Sequence, residues 1–562
     1  MKLHKPNDKD VMQVSTKTNC PSCGESVDVL IRSLSESTDG RIIKTILSRN
    51  AKWTAKDGIC PRCLDGVKVE LLRPNRFAPE EHADSPFSAM SATEIPPTPF
   101  RMNANPNFTG KGIGICFIDS GFYPHPDLVK PSNRILAIRD IATPKRVQGY
   151  FAKPHPQSWH GTMTAVVCAG SGYLSDSFYK GIACDANLVL LKVQNDAGIS
   201  GEHITEAILW ATKNRDKFNI RIVNLSVTDD WPESYKNSAV DQAAEEAIKA
   251  GIVVVAAVGN DPNAEVKPPA NSPNVLSVGG TNDHNTPDPH DDTLYHSTYG
   301  TTVDDFLKPE LIAPAIWIAA PILPETAEQL EAETLQHFLH LDGQDLKDAL
   351  RRQISNTRLD VRLREESSID RIKQAIRNRI NEAKYISPHY MHVDGTSFAA
   401  PLVCSVVAQM LQANPALTPA VVREILLSTA RNLPGVPVDR QGYGMVDAPS
   451  AVSQSEKESH AFPREREHSG VVDKVNHKIV FYYHNHEATG VMLVGDFNAW
   501  SVTGFLFSQG ENGRWKIELP MLPPGEYRYK FLLDGMRWIS DPRNPFTEPD
   551  GFNGLNSKFV VE

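Results

Sequence analysis

The sequence of 562 residues contains little cysteine, no long hydrophobic run and no excess of positive charge. Eight cysteines are far too few for a disulfide-rich secreted scaffold of this length. The most apolar stretches, Gly251–Gly259 and Leu311–Leu323, fall short of the ~20 residues that a membrane helix needs. A formal net charge of −10 gives no electrostatic reason to expect nucleic acid or an anionic membrane as a partner. The first residues lack the apolar segment of a secretory signal, so we expect a cytoplasmic protein.

The length of the chain predicts several domains rather than one, because a domain averages roughly 150 residues. Its content of 40% hydrophobic residues is sufficient for packed cores. Shifts in composition divide the chain into five parts: a small module over residues 1–73, a Pro-rich linker or extended tail over 74–106, an α/β domain over 107–452, a charged linker over 453–474 and a β-sandwich over 475–562.

Four of the eight cysteines form two C-x-x-C pairs near the N-terminus, Cys20 with Cys23 and Cys60 with Cys63. Each pair places two thiolates within reach of one tetrahedral Zn²⁺ ion, and four thiolate ligands leave no open position for catalysis. The arrangement resembles a zinc ribbon and predicts a structural zinc site. The alternative is two unrelated pairs or a disulfide.

The remaining cysteines are scattered singly through apolar segments, at Cys116, Cys168, Cys184 and Cys404. Cysteines of this kind behave as small hydrophobic side chains, so we expect them in the core. A chain with a thiolate metal site and no secretory signal fits a reducing compartment.

Four apolar runs in the central domain are typical of buried parallel strands: GIGICFID, NLVLLKV, IRIVNLSV and GIVVVAAVG. Helical patterns lie between these runs, and the alternation predicts a doubly wound α/β fold around a parallel sheet. Residues 324–383 interrupt the domain with two charged amphipathic helices, one of which carries isoleucines at helical spacing. This insertion either packs on the body of the domain or forms a mobile lid or partner-binding element.

The last part of the chain alternates short strands with turns such as Asp534–Gly535. This pattern predicts an immunoglobulin-like β-sandwich. In the run EYRYKFLL, period-two alternation places Tyr529 and Phe531 on one face and Arg528 and Lys530 on the other. We expect the aromatic face to point into the core.

Three segments of the α/β domain carry the residue types of nucleophilic acyl transfer. Asp119 ends the apolar strand ICFID, His160 precedes a helical run in WHGTMTAVV, and Ser397 opens a helix of small residues in DGTSFAAP. A serine oxygen must lose its proton to a histidine, and a carboxylate must orient that histidine and stabilise its cationic form. We therefore predict that Asp119, His160 and Ser397 form one catalytic site.

The order Asp, His, Ser along the chain resembles that of the subtilisin-like serine proteases. GTSFAAP around Ser397 is the most specific motif, and HPDL after the Asp strand is a further match. The resemblance extends from about residue 112 to 452 and implies a peptide-hydrolysing enzyme in which Asn260 contributes the oxyanion-hole amide. Met163 stands where the family usually has a second histidine, a position that is not catalytic.

The same resemblance implies residues that hold the peptide substrate. NLSVTD resembles the edge segment that pairs with the substrate backbone, which assigns Ser226 and Val227 to substrate binding. If Pro269–Ala270 align with the Pro-small pair of the family, Lys267 falls close to the base of the S1 pocket. A cation there would favour acidic P1 residues. The alternative is that Lys267 points to solvent.

The C-terminal segments VMLVGDFNAWS, EYRYKFLLDGMRW and GFNGLNSKFVV resemble the glycogen-binding modules of AMP-activated kinase β subunits. In that family two tryptophans stack on glucose rings, while a lysine and an asparagine bond to sugar hydroxyls. The matching residues are Trp500, Trp538, Lys530 and Asn556. Flat aromatic faces suit the apolar faces of sugars. The alternative is that both tryptophans belong to the core and the module is structural.

Together these resemblances imply a cytoplasmic serine endopeptidase with a structural Zn²⁺ module, tethered through its C-terminal module to an α-glucan such as glycogen. Its partners would be peptide or protein substrates and α-glucan, without nucleic acid or membrane. The sequence contains no signal that decides for or against Ca²⁺. The rival hypothesis is a non-catalytic adaptor or carbohydrate-binding scaffold that uses the zinc and β-sandwich modules.

Overall fold

The computed structural model describes residues 18–21, 26–27, 46, 54, 57, 63, 95–144, 149–286, 292–458, 470–473, 476–485, 488–502, 505–510, 513–552 and 554–562. The chain divides into two compact units, Met1–Pro86 and Phe87–Glu562. In the smaller unit, the strands Thr18–Asn19 and Ser26–Val27 pair in antiparallel fashion. The larger unit contains the α/β domain and the β-sandwich.

An eight-stranded sheet forms the centre of the α/β domain. The strands of this domain that bear on the site are β1 Gly114–Asp119, β2 Ile135–Asp140, β3 Asn187–Lys192, β4 Ile220–Leu225, β5 Val253–Ala257, β6 Leu276–Asn282, β7 Leu311–Pro314, β8 Ile318–Pro321, β9 Tyr385–Ser387 and β10 Tyr390–Val393. Strands β2, β3, β1, β4, β5, β6 and β7 neighbour one another in that order, all parallel. The short strand Thr293–Leu294 pairs with β6 in antiparallel fashion. The four predicted strands are confirmed.

Helices cover both faces of this sheet. The described helices of ten or more residues in this domain, including those of the insertion, are α1 Trp159–Ala169, α2 Gly201–Lys213, α3 Ala239–Lys249, α4 Ala327–Leu339, α5 Gly343–Gln353, α6 Ile369–Glu382, α7 Thr396–Ala413, α8 Pro419–Thr429 and α9 Ala448–Lys457. Phe117 of β1 packs into the apolar cluster that contains α1 and α7, whereas its neighbours Cys116 and Ile118 pack into the cluster of α2 and α3. Because alternate side chains of one strand enter two cores, the strand is apolar throughout its length. The doubly wound α/β prediction is confirmed.

Helix α7 is the only described helix that is long and apolar enough to cross a membrane by length and composition. The structure buries 83% of it inside the α/β domain. It is therefore a core helix of that domain.

The insertion forms a small helical subdomain with a core of its own, which includes Phe338, Leu350 and Ile376. It contains three helices, α4 to α6, where the sequence predicted two. The additional helix α5 buries only Leu346, Ala349 and Leu350, and so sparse a stripe is easily missed in the sequence. Trp159, the residue before His160, packs against this core. Of the two expectations for the insertion, packing on the body of the domain therefore fits the structure.

Both predicted linkers contribute ordered residues to the α/β domain. At the end of the 74–106 segment, the helix Thr98–Arg101 brings the Arg101 guanidinium to the Asp283 carboxylate, with Nη2 2.6 Å from Oδ1. Arg101 also donates to the backbone oxygens of Ile316 and Trp317. Helix α9 extends to Lys457, five residues into the predicted 453–474 linker, because it buries Ser455 as well as Val452.

Two antiparallel sheets form the C-terminal domain. Their main strands are β11 Val471–Asp473, β12 Lys478–His484, β13 Val491–Gly495, β14 Arg514–Pro520, β15 Gly525–Leu533, β16 Arg537–Ile539, β17 Thr547–Pro549 and β18 Leu555–Val561. One sheet contains β11, β12 and β14, and the other contains β13, β15, β16, β17 and β18. Phe481, Trp515 and Phe531 belong to the apolar core of this domain. The prediction of a β-rich C-terminal domain is confirmed.

Candidate active site

The fold brings Asp119 and His160 into direct contact. Asp119 ends β1 at the carboxyl edge of the sheet, and His160 is the second residue of α1. His160 Nδ1 lies 2.7 Å from Asp119 Oδ1, and the Asp119 side chain is fully buried. The close approach of α1 to β1 requires Gly161, because a Cβ there would meet the Gly121 oxygen at 2.3 Å and Asp119 Cβ at 2.9 Å. This explains why glycine follows the histidine.

Two further donors hold the Asp119 carboxylate in place. The Ser120 backbone N–H donates to Oδ1 over 2.7 Å, and Thr164 Oγ1 donates to Oδ2 over 3.3 Å. The negative charge of Asp119 raises the pKa of His160, and partial burial of the ring opposes this effect. A carboxylate in this position favours the imidazolium form, which is what a general base needs at the moment it accepts a proton.

Ser397 is the second residue of α7 and is half-buried. Gly395 precedes the helix with a φ of +137°, a conformation that favours glycine, and its N–H donates to the Ala315 oxygen over 2.7 Å. The ring of Phe398 lies 5.8 Å from the ring of His160, centroid to centroid. Among the hydrogen bonds of the described residues, none joins His160 to Ser397. Catalytic contacts of this kind often tighten only when substrate is bound.

Asn260 lies beside the start of α7 in a fixed orientation. Its side-chain oxygen accepts from the Thr396 backbone N–H over 2.8 Å and from Thr396 Oγ1 over 3.0 Å. With both hydrogen bonds made to the oxygen, the amide NH₂ has no acceptor of its own among the described residues and can act as a donor. Thr396 was not singled out in the sequence, although it is the central letter of the GTS motif.

Ser226 and Val227 are both 7% exposed, and each has a role inside the protein. Ser226 Oγ donates to the backbone oxygen of Ser397 over 2.8 Å and accepts from Asn224 Nδ2 over 3.1 Å. The Val227 side chain belongs to the apolar cluster of α2 and α3. The Ser226 hydroxyl thus fixes the backbone of Ser397, a role that sequence reasoning missed.

Lys267 is half-buried, and its backbone oxygen accepts from the N–H groups of Ala270 and Asn271. Its side chain makes no hydrogen bond or ion pair with the described residues. The S1 assignment and its solvent-facing alternative therefore both stay predictions.

The predicted sugar-binding residues fall into two groups. Trp538 is 43% exposed and lines a cavity together with Lys530, which is paired with Asp550 and only 8% exposed. Asn556 is 8% exposed and lies next to the cavity-lining Leu555. Trp500 is half-buried, donates from Nε1 to Asp496 over 3.0 Å and does not line this cavity.

An exposed aromatic residue that the sequence analysis overlooked also lies on this part of the sandwich. Phe552 is 91% exposed, and its N–H donates to Asp550, the partner of Lys530. Its place in a Gly- and Asn-rich turn, GFNG, was the available signal.

Only two of the four predicted zinc ligands lie among the described residues, Cys20, which is buried, and Cys63, which is half-buried. Cys23 and Cys60 lie outside them. Within the part of the chain that the structure describes, no three His, Cys, Asp or Glu residues form a group that could hold a metal ion. Of the scattered cysteines, Cys116, Cys168 and Cys404 are fully buried as expected, whereas Cys184 is half-buried beside exposed Asp185.

Comparison with known proteins agrees with this geometry. A model of the subtilase family matches residues 110–444, and a model of the glycogen recognition site of AMP-activated protein kinase matches residues 477–562. The first match covers more than half of the chain. The protein therefore belongs to the subtilase family, and it carries a glycogen-recognition module at its C-terminus.

The relatives are serine proteases. Serine protease AprX of Bacillus subtilis (strain 168) is 30% identical over 355 residues, which are 61% of this chain and 67% of that protein. Subtilisin-like protease 2 of Arthroderma otae is 34% identical over 165 residues, or 28% of this chain and 35% of that protein. Fervidolysin from Fervidobacterium pennivorans, a keratinolytic enzyme related to subtilisin, is 19% identical with a TM-score of 0.42 over 78% of this chain and 54% of its own.

Proposed function

We propose that this chain is an endopeptidase that uses Ser397 as nucleophile, His160 as general base and Asp119 as its orienting carboxylate. The observation that carries the proposal is the buried Asp119 carboxylate 2.7 Å from His160 Nδ1, because this contact leaves Nε2 as the nitrogen that accepts a proton. The protein's membership of the subtilase family supports the same roles.

In the first half-reaction, Ser397 Oγ bonds to the peptide carbonyl carbon while its proton moves to His160 Nε2. The carbonyl oxygen becomes an oxyanion, which accepts hydrogen bonds from the Asn260 NH₂ and the Ser397 backbone N–H. The C–N bond then breaks, and the leaving amine takes the proton from His160. In the second half-reaction, water attacks the acyl-enzyme carbonyl while His160 accepts its proton. The bond to Ser397 Oγ then breaks, Oγ takes the proton back, and the carboxylic acid product is released.

Labelling with a fluorophosphonate probe tests this assignment directly. The wild-type chain should become labelled and should hydrolyse an unfolded protein, whereas Ser397→Ala should do neither. Ser405→Ala is the matched control, because Ser405 lies on the same helix but is buried and donates only within that helix. Labelling of Ser397→Ala as strong as that of the wild type would refute Ser397 as the nucleophile, and a wild-type chain that is neither labelled nor active would favour the adaptor hypothesis.

We also propose that the C-terminal domain binds α-glucan through Trp538 and Lys530. The match to the glycogen-recognition model and the half-exposed indole of Trp538 support this. Wild-type protein should bind maltoheptaose and sediment with glycogen, and Trp538→Ala should weaken both. Trp231→Ala is the control, because that tryptophan is 78% exposed on the α/β domain. Absence of binding by the wild type would leave the sandwich as a structural domain.

A cytoplasmic location and a structural zinc ion are part of the same proposal. Cys116, Cys168 and Cys404 are buried thiols without a disulfide, and burial raises the pKa of each, which makes them unreactive. Unpaired thiols of this kind are compatible with a reducing compartment. Fractionation of cells that express the natural protein is the test of location.

A further inference from the structure

The sandwich does not stand apart from the α/β domain, because several contacts of different kinds fix its position. Arg543 pairs with Glu424 of α8, and Tyr443 Oη donates to the Asp541 backbone oxygen over 3.3 Å. Arg537 donates to the Ser428 oxygen at the end of α8 over 3.2 Å. These contacts hold β16 and the residues after it against α8.

A cavity of ≈ 680 Å³, which we name the interdomain cleft, lies between the two domains. The sandwich contributes Trp538, Lys530 and Leu555 to its lining, and the α/β domain contributes residues of α8 and α9. Sites for small ligands have volumes of roughly 300–1,000 Å³, so the cleft is large enough for a short oligosaccharide.

The wall from the α/β domain is polar. Ser453 and Gln454 of α9 line the cleft, and so does Glu424 of α8. Glu424 is only 4% exposed, and its Oε1 atom has no hydrogen-bond partner among the described residues. A buried oxygen without a partner is costly, and a ligand hydroxyl would satisfy it.

The sandwich wall has the complementary chemistry. The indole of Trp538 offers an apolar face, and Lys530 Nζ, held by Asp550, offers a cation. One aromatic face in the same cleft as several hydroxyl, amide and carboxyl groups suits a sugar ring, since the faces of the ring are apolar and its rim is polar.

We propose that the interdomain cleft is a saccharide site built by both domains, in which α8 and α9 complete the site that Trp538 and Lys530 begin. This inference rests on the proposed binding of α-glucan by the sandwich. It differs from that function because it assigns half of the contacts to the α/β domain. Binding is then a property of the docked pair of domains.

Titration calorimetry with maltoheptaose tests the proposal on the full chain in a Ser397→Ala background, which prevents self-digestion. Ser453→Trp places a large side chain in the cleft from the α9 side and should weaken binding at least tenfold. Gln454→Ala removes a polar group without adding bulk and should weaken binding about threefold to tenfold, the effect of one hydrogen bond. Glu456→Trp is the control on the same helix, since Glu456 is exposed and does not line the cleft.

The outcomes separate the two proposals. Weaker binding in both α9 variants, with Glu456→Trp unchanged, would support the composite site. If both variants bind as the wild type does while Trp538→Ala loses binding, the sandwich binds sugar alone and the composite site is wrong. No binding by the wild type would overturn the α-glucan function itself and the composite site with it. Thermal unfolding of each variant verifies that both domains remain folded.

Discussion

Arg543 of the sandwich and Glu424 of helix α8 form an ion pair across the domain boundary, with Nε 2.5 Å from Oε2. The Arg543 side chain is 14% exposed and the Glu424 side chain 5%. A pair withdrawn from water in this way is costly to break, because the remaining charge is left without a partner. The sandwich is therefore docked on the α/β domain at this contact.

Docking should depend on pH through Glu424. Burial raises the pKa of Glu424 to about 7, with Glu458 and Asp541 contributing in the same direction, while Arg543 opposes the shift. A group whose pKa is raised in the docked state binds more protons there, so docking should weaken as pH rises from about 4.5 to 7. Scanning calorimetry should resolve a separate, earlier transition of the sandwich at pH 8 that merges with the main transition at pH 6.

A variant without the Arg543–Glu424 ion pair tests whether this pair holds the two domains together. Arg543→Met leaves the Glu424 carboxylate without its cation and should lower the temperature of the sandwich transition at pH 8, where Glu424 is charged, far more than at pH 6, where it is protonated. Arg514→Met, on a strand of the other sheet, should behave as the wild type does. A sandwich transition at pH 8 that is the same in Arg543→Met as in the wild type would show that the pair does not hold the domains together.

Ser397 and His160 should act as one unit in catalysis. Ser397→Ala and His160→Ala should each abolish hydrolysis of a peptide substrate, and the double variant should be scarcely slower than either single one. Steady-state rates on a fluorogenic peptide measure this. Additive losses of the two variants would contradict a shared role.

The pH dependence of kcat/KM should report the pKa of His160. Because Asp119 raises that pKa above its usual 6.5, activity should fall as pH drops through a midpoint above 6.5, where the imidazole becomes protonated and cannot act as a base. Asp119→Asn should lower kcat by about 10⁴, the loss known for the same change in a trypsin-type triad. A wild-type midpoint at or below 6.5 would argue against the coupling.

The Asn260 amide should stabilise the transition state rather than the bound substrate. Asn260→Ala should lower kcat by about 10²–10³ with little change in KM, as the corresponding change does in subtilisin. Thr396→Val removes one of the two hydrogen bonds that orient the amide and should lower kcat about fivefold to tenfold. An effect on KM alone would assign Asn260 to substrate binding instead.

Zinc should bind to the N-terminal module in one equivalent. Removal of the metal by a chelator should unfold that module and spare the α/β domain, because metal binding supplies the folding free energy of such small units. Metal analysis should show less zinc in Cys20→Ser and an unchanged ratio in the control Cys184→Ser. A purified wild-type protein without zinc would rule the site out.

Much of the α/β fold could be predicted from the pattern of apolar residues within short segments. Strand β1 is apolar at every position because the sheet is covered on both faces, so the run GICFID identifies a buried parallel strand by itself. Helix α5 was missed because its buried residues are few. The end of the 74–106 segment joins the α/β domain because Arg101 finds its partner, Asp283, far along the chain.

The residue types of the predicted catalytic site, Asp119, His160 and Ser397, can be read from the sequence, together with the strand end and the helix starts that carry them. Only the packing of distant segments shows that Ser226 bonds to the backbone of Ser397, and that Lys530, which strand alternation places on the face opposite Tyr529 and Phe531, is buried and paired with Asp550. The physical reason is that hydrophobic periodicity and secondary-structure propensity depend on residues that are close in sequence. The burial of a side chain depends instead on which distant segment covers that face of the strand.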